Sequence, residues 1–264
     1  MIQRENRNTA PSPLVLMYHG TTPGKGAPAN RYSINSLRFR QQMDFLQEHG
    51  WNTLCVRDLL KPESLPTRSV LITFDDGYRN NFENAFLPLV ERGMRATWFI
   101  VSDRIGRHAH WMGPENPETE MLESGQLREM AASGMEIGSH TSTHPDLTAI
   151  AADQVKQEIR SSKEGLEDIF GFDIASFAYP YGRYNDLAIN AVHDAGYSLA
   201  CGVRPGLVNT QLEPYQLRRV TVFADDSLGT FARKLIFAAN DASWGKMVQY
   251  AGNRMADRLG LVTR

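Results

Sequence analysis

Two pairs of polar residues in this sequence could do chemistry together: the adjacent carboxylates of Asp75 and Asp76, and the imidazoles of His140 and His144. Two imidazoles at this spacing can converge on one ion if the segment between them winds into a turn. Histidine is the usual nitrogen ligand of zinc and its first-row neighbours, and a carboxylate as third ligand would leave positions open for water and substrate. The pattern therefore indicates a metal site that could activate water.

Each pair also has a purely structural interpretation. Asp-Gly steps such as Asp76-Gly77 commonly form turns, and aspartate commonly caps helices. Two histidines can equally fill hydrogen-bonded niches in a loop. The metal interpretation gains weight because carboxylates and histidines occur together. Two adjacent carboxylates can point the same way only if the backbone leaves strand geometry, and Gly77 gives it that freedom.

A third segment, Tyr179-Pro180-Tyr181-Gly182, could contribute backbone donors. Glycine and proline fix an irregular loop that can aim N–H groups into a site. Such donors stabilise an oxyanion in acyl transfer by roughly 3–4 kcal/mol each. The alternative, a strand followed by a tight turn, explains the same residues without a function.

These segments share a position: each follows the end of an apolar run. The runs lie at Leu14–Tyr18, Ser69–Phe74, Ala96–Val101, Met135–Gly138, Ala175–Tyr179 and Tyr197–Cys201. Several are apolar without alternation, which is typical of strands covered on both faces. In a parallel barrel the carboxyl ends of all strands open onto one face, so the polar segments are expected to converge there.

Helix-like segments alternate with the apolar runs and predict an α/β fold with a parallel sheet, either a barrel or a doubly wound sheet. The candidate helices are Ser36–His49, Asn81–Arg92, Ser124–Ser133, Ala151–Phe170 and Asn185–Ala195. Ser36 and Ser124 are the expected N-caps. The segment from Ser227 onward is mostly helical by pattern and carries no recognisable chemistry.

Taken in order, Thr73–Gly77, Ser139–His144 and Tyr179–Gly182 resemble the first three motifs of the polysaccharide deacetylases, the NodB-homology group or carbohydrate esterase family 4. The similarity runs from about Leu14 to Val222. The resemblance implies a distorted (β/α) barrel of about seven strands. It also implies a metal-dependent hydrolase that removes N-acetyl groups from an N-acetylated sugar or polysaccharide, with a carbohydrate of N-acetylglucosamine type as substrate and acetate as product.

The resemblance assigns roles to individual residues. It implies that Asp76, His140 and His144 bind one divalent metal, that Asp75 is the general base, and that the backbone N–H of Tyr181 helps to form the oxyanion hole. Zn²⁺ is the first choice of metal, although a site of two histidines and one aspartate also suits Co²⁺, Ni²⁺, Mn²⁺ or Fe²⁺.

The sequence departs from the usual family pattern in the position of its catalytic histidine, which family members usually carry in an apolar strand near the C-terminus. No histidine follows Gly196 here, but Leu14–Tyr18 near the N-terminus is an apolar strand that ends at His19. This resembles the circularly permuted arrangement of the biofilm poly-N-acetylglucosamine deacetylases. The first and last strands of a closed barrel are neighbours, so His19 is the expected general acid.

A second departure is Ala178, where many members have an arginine that pairs with the base. Arg219, on a later strand, could supply the missing charge and favour the ionised form of Asp75. Arg218 is a weaker candidate because strand neighbours face opposite ways. The alternative is that both arginines lie at the surface of an edge strand.

Tyr78, Trp111 and Tyr179 are candidates for an aromatic platform under a sugar ring, although Trp111 could equally serve packing. Other activities on the same barrel are hydrolysis of another non-peptide C–N bond and O-acetyl ester hydrolysis. An inactive glycan-binding module is a further alternative, against which the retention of both aspartates and both histidines argues. The sequence leaves open which sugar and polymer length the chain would use, and its oligomeric state.

Composition agrees with one globular domain. Of 264 residues, 42% are hydrophobic and 22% charged, and the formal net charge is −2 without a long run of either sign. Nothing indicates a nucleic-acid partner. No apolar segment reaches the roughly 18 residues that span a bilayer. We expect residues 1–13 to form a flexible arm and residues 14–264 a single deacetylase barrel domain with a helical C-terminal tail.

The N-terminal arm lacks the apolar region of a signal peptide, so a cytoplasmic location is the default expectation, or a secreted or cell-surface one if a signal was removed. The two cysteines, Cys55 and Cys201, lie far apart in apolar stretches. They are expected to be buried and reduced.

Overall fold

The computed structural model describes residues 13–24, 30–112, 120–211 and 213–243, together with residues 245 and 248. Apart from Pro13, the predicted N-terminal arm lies outside the described residues, as does most of the predicted tail after residue 243. Within this part of the chain, no helix is long and apolar enough to cross a membrane.

The centre of the molecule is a parallel sheet of eight strands. They are β1 (Leu14–Tyr18), β4 (Asn52–Leu54), β5 (Ser69–Phe74), β6 (Thr97–Ile100), β7 (Glu136–Ser139), β8 (Ser176–Ala178), β9 (Leu199–Cys201) and β10 (Val220–Thr221). Seven of them run in the order β10-β1-β5-β6-β7-β8-β9, and β4 pairs with the start of β5. The remaining strands, β2 (Thr21–Thr22) and β3 (Ile34–Asn35), pair with each other.

The seven-stranded path curls until its two ends meet. Leu217 forms a parallel bridge to Cys201 in β9, and three residues later Val220 pairs with Leu16 in β1. The N-terminal strand therefore lies between the last strand and β5, as expected for a permuted barrel. The prediction of a distorted α/β barrel of about seven strands is confirmed.

In the described part of the chain, six α-helices accompany this sheet. They are α1 (Ser36–Glu48), α2 (Leu87–Glu91), α3 (Ser124–Ala132), α4 (Ala152–Phe170), α5 (Asp186–Asp194) and α6 (Leu228–Phe237). Four of the five predicted helices are found within one residue of their expected ends. The N-cap of α1 is Asn35 and not Ser36, since the Asn35 side chain accepts a hydrogen bond from Leu37 N, and that of α3 is Glu123 and not Ser124.

The helix predicted over Asn81–Arg92 is present, but its first half is π-helical and not α-helical. Residues Phe82–Phe86 form a π-helical turn in which Leu87 N donates to Phe82 O, and only α2 is regular. Pro88 explains the change, because proline has no N–H to donate to the carbonyl one α-turn earlier.

Two hydrophobic clusters lie on opposite faces of the strands. In β1 and β5, Leu16 and Ile72 belong to the larger cluster, while Val15 and Leu71 belong to the smaller one, within the curl of the sheet. Side chains alternate between faces along a strand. Following Leu71 by this period leads through Thr73 to Asp75, so the strand itself places Asp75 at the rim of the barrel interior.

The two cysteines are free and buried, as predicted. Burial raises the pKa of each thiol, Cys55 to about 12 and Cys201 to about 12. Both groups are therefore protonated at neutral pH and unreactive.

Candidate active site

The Asp75–Asp76 segment leaves strand geometry directly after β5. Asp75 N still donates to Tyr18 O at 3.0 Å, but Asp76 has φ +73° and Gly77 has φ +88°. A side chain at Gly77 would bring its Cβ to 2.9 Å from Ile100 Cδ1. The sharp turn lets both adjacent carboxylates line one cavity, whereas neighbouring side chains of a regular strand face opposite sides.

Asp76 lies beside the two predicted histidine ligands. One donor atom from each of Asp76, His140 and His144 lies within 4.8 Å of the others, and all three side chains are buried. Asp76 Oδ1 is 3.5 Å from His140 Nε2 and 3.3 Å from His144 Nε2. Ligands about 2.0–2.1 Å from a tetrahedral metal lie about 3.3 Å apart, so the donor atoms fit a single ion of this kind.

The histidine loop is shaped so that both rings face Asp76. Thr141 and His144 have φ values of +69° and +68°, and His144 N donates to Thr141 Oγ1 at 3.0 Å. His140 Nδ1 lies 2.7 Å from Ala178 O and donates to this carbonyl, which leaves the Nε2 lone pair free for a metal. Trp111 stacks on the other histidine ring, His144, at a centroid distance of 4.2 Å.

Electrostatics in the cluster favour cation binding. Burial opposes charge on Asp76, but its contacts with His140 and His144 outweigh burial, and the pKa of Asp76 lies well below its usual range. Burial lowers the pKa of His144 and so favours the neutral ring. For His140 burial acts in the same direction, but Asp76 outweighs it and the pKa is raised. A cation bound here would displace the proton from His140.

The other carboxylate, Asp75, is held by Arg219. Arg219 Nη1 lies 2.6 Å from Asp75 Oδ1 and Nη2 lies 2.8 Å from Oδ2, and the arginine is fully buried. Burial opposes ionisation of Asp75, but Arg219 outweighs it and lowers the pKa of the carboxyl group. The neighbouring Arg218 instead pairs with Glu213 at 3.2 Å and is 42% exposed. Of the two arginines, the geometry selects Arg219 as the partner of Asp75.

His19 follows β1 and lines the same cavity as Asp75 and Asp76. Its backbone is anchored by Asn81, a fully buried residue whose Nδ2 donates to His19 O at 2.8 Å and whose Oδ1 accepts from Thr21 Oγ1 at 2.9 Å. The His19 ring packs 4.9 Å from that of Tyr32. Among the described residues, no partner bonds to the buried His19 Nδ1.

The segment after β8 forms a tight turn at Pro180–Gly182, in which Tyr181 has φ +57°. Gly182 N donates to Tyr179 O and Arg183 N donates to Pro180 O. The N–H of Tyr181 takes part in neither of these two bonds. A side chain at Gly182 would place its Cβ 2.3 Å from Val203 Cγ2, so this position requires glycine. The Tyr181 ring meets the His144 ring edge-on, 4.7 Å between centroids.

The triad, Asp75, His19 and Tyr181 line one cavity of about 460 Å³, a size typical of small-ligand sites. Tyr78 and Trp111, two of the predicted platform residues, line it. The third, Tyr179, does not: it is fully buried and its hydroxyl donates to Tyr215 O at 3.0 Å. The prediction for Tyr179 is wrong because that side chain packs against Phe177 and Tyr184 in the core.

Several lining residues were missed by the sequence analysis. They are Met17, Asn30, Tyr32, Ser33, Met112, Arg183, Val203, Thr221, Phe223 and Asn240. Asn240 comes from the segment in which no chemistry was recognised, and its Oδ1 accepts a hydrogen bond from Thr221 N at 2.8 Å. No local motif marks these residues, since they reach the cavity only through the closure of the barrel.

Comparison with known proteins agrees with this site. A family model described as polysaccharide deacetylase matches residues 63–200. YxkH of Bacillus subtilis, whose name carries the same family description, is 32% identical over 212 residues, covering 79% of this chain and 70% of its own length. The poly-β-1,6-N-acetyl-D-glucosamine N-deacetylase of Staphylococcus epidermidis is 26% identical over 209 residues, covering 74% of this chain and 69% of that protein.

Among solved structures, that of the Streptococcus pyogenes deacetylase PplD in complex with acetate superposes with a TM-score of 0.75. The two chains are 25% identical, and the match covers 86% of this chain and 99% of PplD. The region matched by the family model contains the Asp75–Asp76 and His140–His144 segments but neither His19 nor Arg219. His19 lies before the matched region and Arg219 after it.

Proposed function

The chain belongs to the polysaccharide deacetylase family of hydrolases acting on carbon–nitrogen bonds, and from this we propose that it removes N-acetyl groups from an N-acetylglucosamine-type polysaccharide. The relative from Staphylococcus epidermidis is named for that reaction, which supports this class of sugar. The proposal covers the substrate and the role of each residue in the site.

One observation carries the proposal: the metal-binding triad, Asp75 and His19 line a single cavity, although they come from distant parts of the chain, and Arg219 bonds to Asp75 from the buried side. A structural turn or a satisfied core histidine would explain any one of these groups alone. Neither explains why the base, acid and ligand candidates converge.

Asp75 is the proposed general base. A divalent metal held by Asp76, His140 and His144 supplies Lewis-acid polarisation of a carbonyl group and lowers the pKa of water. Asp75 accepts the proton of the attacking water as oxygen adds to the acetyl carbon. Both of its oxygens are bonded to Arg219, but each keeps a second lone pair for the proton. Arg219 fixes the carboxylate and keeps it ionised.

Tyr181 and His19 complete the reaction. The N–H of Tyr181 donates to the developing oxyanion, and this bond strengthens as negative charge grows on the oxygen. His19, in its protonated form, donates a proton to the nitrogen as the C–N bond breaks, since an unprotonated amine is a very poor leaving group. Water and amide are consumed, and acetate and a free amino sugar are formed.

Acetate release from β-1,6-linked N-acetylglucosamine oligomers, with and without a chelator, tests the proposal. We expect release that stops with chelator and returns with added Zn²⁺. Asp75→Asn should lose activity while keeping its metal, and Asp168→Asn, an exposed aspartate on α4, is the matched control. Loss of metal from Asp75→Asn would make Asp75 a ligand. Faster acetate release from O-acetylated sugars than from N-acetylated ones would replace the amide with an ester as substrate.

A further inference from the structure

The backbone of the histidine loop is held from several sides. His140 N donates to Ile100 O at 2.8 Å. Thr141 O accepts from Ser102 N at 3.1 Å, and Ser142 O accepts from Asp103 N at 3.0 Å. These bonds come from backbone groups at and after the end of β6. They leave the N–H groups of Ser142 and Thr143, midway between the two histidines, to be satisfied by another part of the molecule.

Glu158, on the long helix α4, bonds to both of these groups. Its Oε2 accepts from Ser142 N at 3.0 Å and from Thr143 N at 2.9 Å. Its Oε1 accepts from Thr143 Oγ1 at 2.7 Å, and its backbone carbonyl lies 3.3 Å from Ser142 Oγ. One carboxylate therefore makes three hydrogen bonds to the short segment that joins His140 to His144.

We propose that Glu158 is a positioning residue of the metal site, which holds the His140–His144 loop in the shape that brings both imidazoles onto one ion. The inference rests on the proposed metal-dependent function, because it concerns the same site. Glu158 is not among the residues that line the cavity, and it contacts the loop only at Ser142 and Thr143, between the two histidines.

The loop needs such support because its conformation is strained. Thr141 and His144 both lie in the left-handed region, which side chains with a Cβ rarely adopt, and each such residue persists only when its surroundings over-determine it. Without Glu158 the loop would relax, and the Nε2 atoms of His140 and His144 would no longer both lie close to Asp76 Oδ1. Ionised acceptors bind N–H groups more strongly than neutral ones, which suits a carboxylate to this role.

The helix gives Glu158 a rigid base. Val155, Ile159 and Ser162 on α4 are buried, and the last of these bonds to Ser139, the residue directly before His140. Glu158 lies one helical turn before Ser162, so this part of α4 faces the end of β7, where the histidine loop begins. A charged side chain on this face of α4 is positioned by the same packing that fixes the strand.

Removal of the carboxylate should weaken metal binding in folded protein. We expect Glu158→Ala to raise the Zn²⁺ dissociation constant by about 10-fold or more, because loss of a group that orients metal ligands typically weakens binding by that amount. The constant is measured by competition with a chromophoric chelator. Its Co²⁺ absorption spectrum should also change, since the spectrum reports ligand geometry. Glu164→Ala, an exposed glutamate on the same helix, is the matched control and should bind as wild type does.

Glu158→Gln separates position from charge. The amide oxygen can accept from both N–H groups and the amide nitrogen can donate to the Thr143 hydroxyl, so this variant should recover most of the affinity. If Glu158→Ala does not fold, Glu158→Asp decides the matter, because its shorter side chain cannot reach all three partners. A thermal melt of the metal-free variants separates loss of affinity from loss of fold.

Wild-type affinity and an unchanged Co²⁺ spectrum in folded Glu158→Ala, or in Glu158→Asp if the alanine variant does not fold, would overturn the inference and leave the proposed function intact. Failure of the wild-type chain itself to bind Zn²⁺ or Co²⁺ would overturn the proposed function, and the positioning role with it.

Discussion

Replacement of Arg219 by methionine is the most informative perturbation of this site. The guanidinium group is fully buried and bonds to both oxygens of Asp75, at 2.6 and 2.8 Å, while its Nε donates to Gly202 O at 2.8 Å. Methionine keeps the apolar part of the side chain but none of these bonds. The substitution therefore leaves Asp75 as a buried carboxylate without its cation.

The expected cost follows from that burial. Removing one partner of a buried ion pair typically costs about 3–5 kcal/mol, because the remaining charge is left uncompensated. For a chain of this size each kcal/mol lowers the melting temperature by about 2–4 °C, so Arg219→Met should melt about 6–20 °C below wild type. A loss of this size is a large part of a typical total stability of about 5–15 kcal/mol.

A double-mutant cycle measures the pair directly. We propose urea unfolding of wild type, Arg219→Met, Asp75→Asn and the double variant, all with chelator present so that metal binding does not contribute. The double variant should be more stable than the sum of the single changes predicts, because it leaves no buried charge unpaired. Deacetylation should be lost in all three variants. Arg218→Met, at the neighbouring exposed position, is the control.

Strictly additive single changes, or an Arg219→Met variant as stable as Arg218→Met, would refute this reasoning. Either result would mean that Asp75 does not depend on Arg219 for its charge. The arginine would then be a packing residue, and another group would have to keep the base ionised.

Three further predictions concern other parts of the molecule. His19→Ala should lower the deacetylation rate by about 10²- to 10⁴-fold, the usual contribution of a general acid, with unchanged metal content; retained turnover would exclude His19 as the acid. Asn81→Ala should lower the rate without loss of metal, because it frees the backbone that carries His19; a normal rate in folded protein would contradict this. Burial raises the pKa of Glu136 above its ordinary value of 4.5 despite hydrogen bonds from Ser176 and Thr97. The protonated form therefore stabilises the fold below pH 4.5, and this contribution is lost as the pH rises through the folded pKa. Glu136→Gln should then gain stability relative to wild type with rising pH in parallel urea titrations, and a constant difference across pH would refute the argument.

Much of the fold and site could be predicted from the sequence because the chemistry sits at strand ends. Asp75, Asp76 and His140 each follow an apolar run, and such runs are recognisable by composition alone. Once the runs were interpreted as parallel strands, the convergence of these residues followed from the geometry of a barrel. The displaced histidine at His19 could be placed for the same reason, because β1 lies beside β10.

The rest depends on contacts between distant residues that no local pattern records. Strand β10 is only two residues long and has no periodicity to detect. The sequence could therefore favour Arg219 over Arg218 but could not show its contact with Asp75. Tyr179 lies with Phe177 in the larger hydrophobic cluster and Ala178 in the smaller one, and only the assembled sheet shows which face of this segment meets the cavity. Glu158 lies on a helix face that its sequence marks only as polar, and two of the three hydrogen bonds to its carboxylate come from backbone N–H groups, which no sequence pattern identifies.

Metal content and acetate release, measured on the same preparation, test the central claim most directly. We predict close to one divalent metal per chain in protein purified without added metal, loss of that metal in His140→Ala, and acetate release that falls with metal content as chelator is added. Full acetate release from a metal-free chain, or metal bound equally well by His140→Ala, would contradict the account.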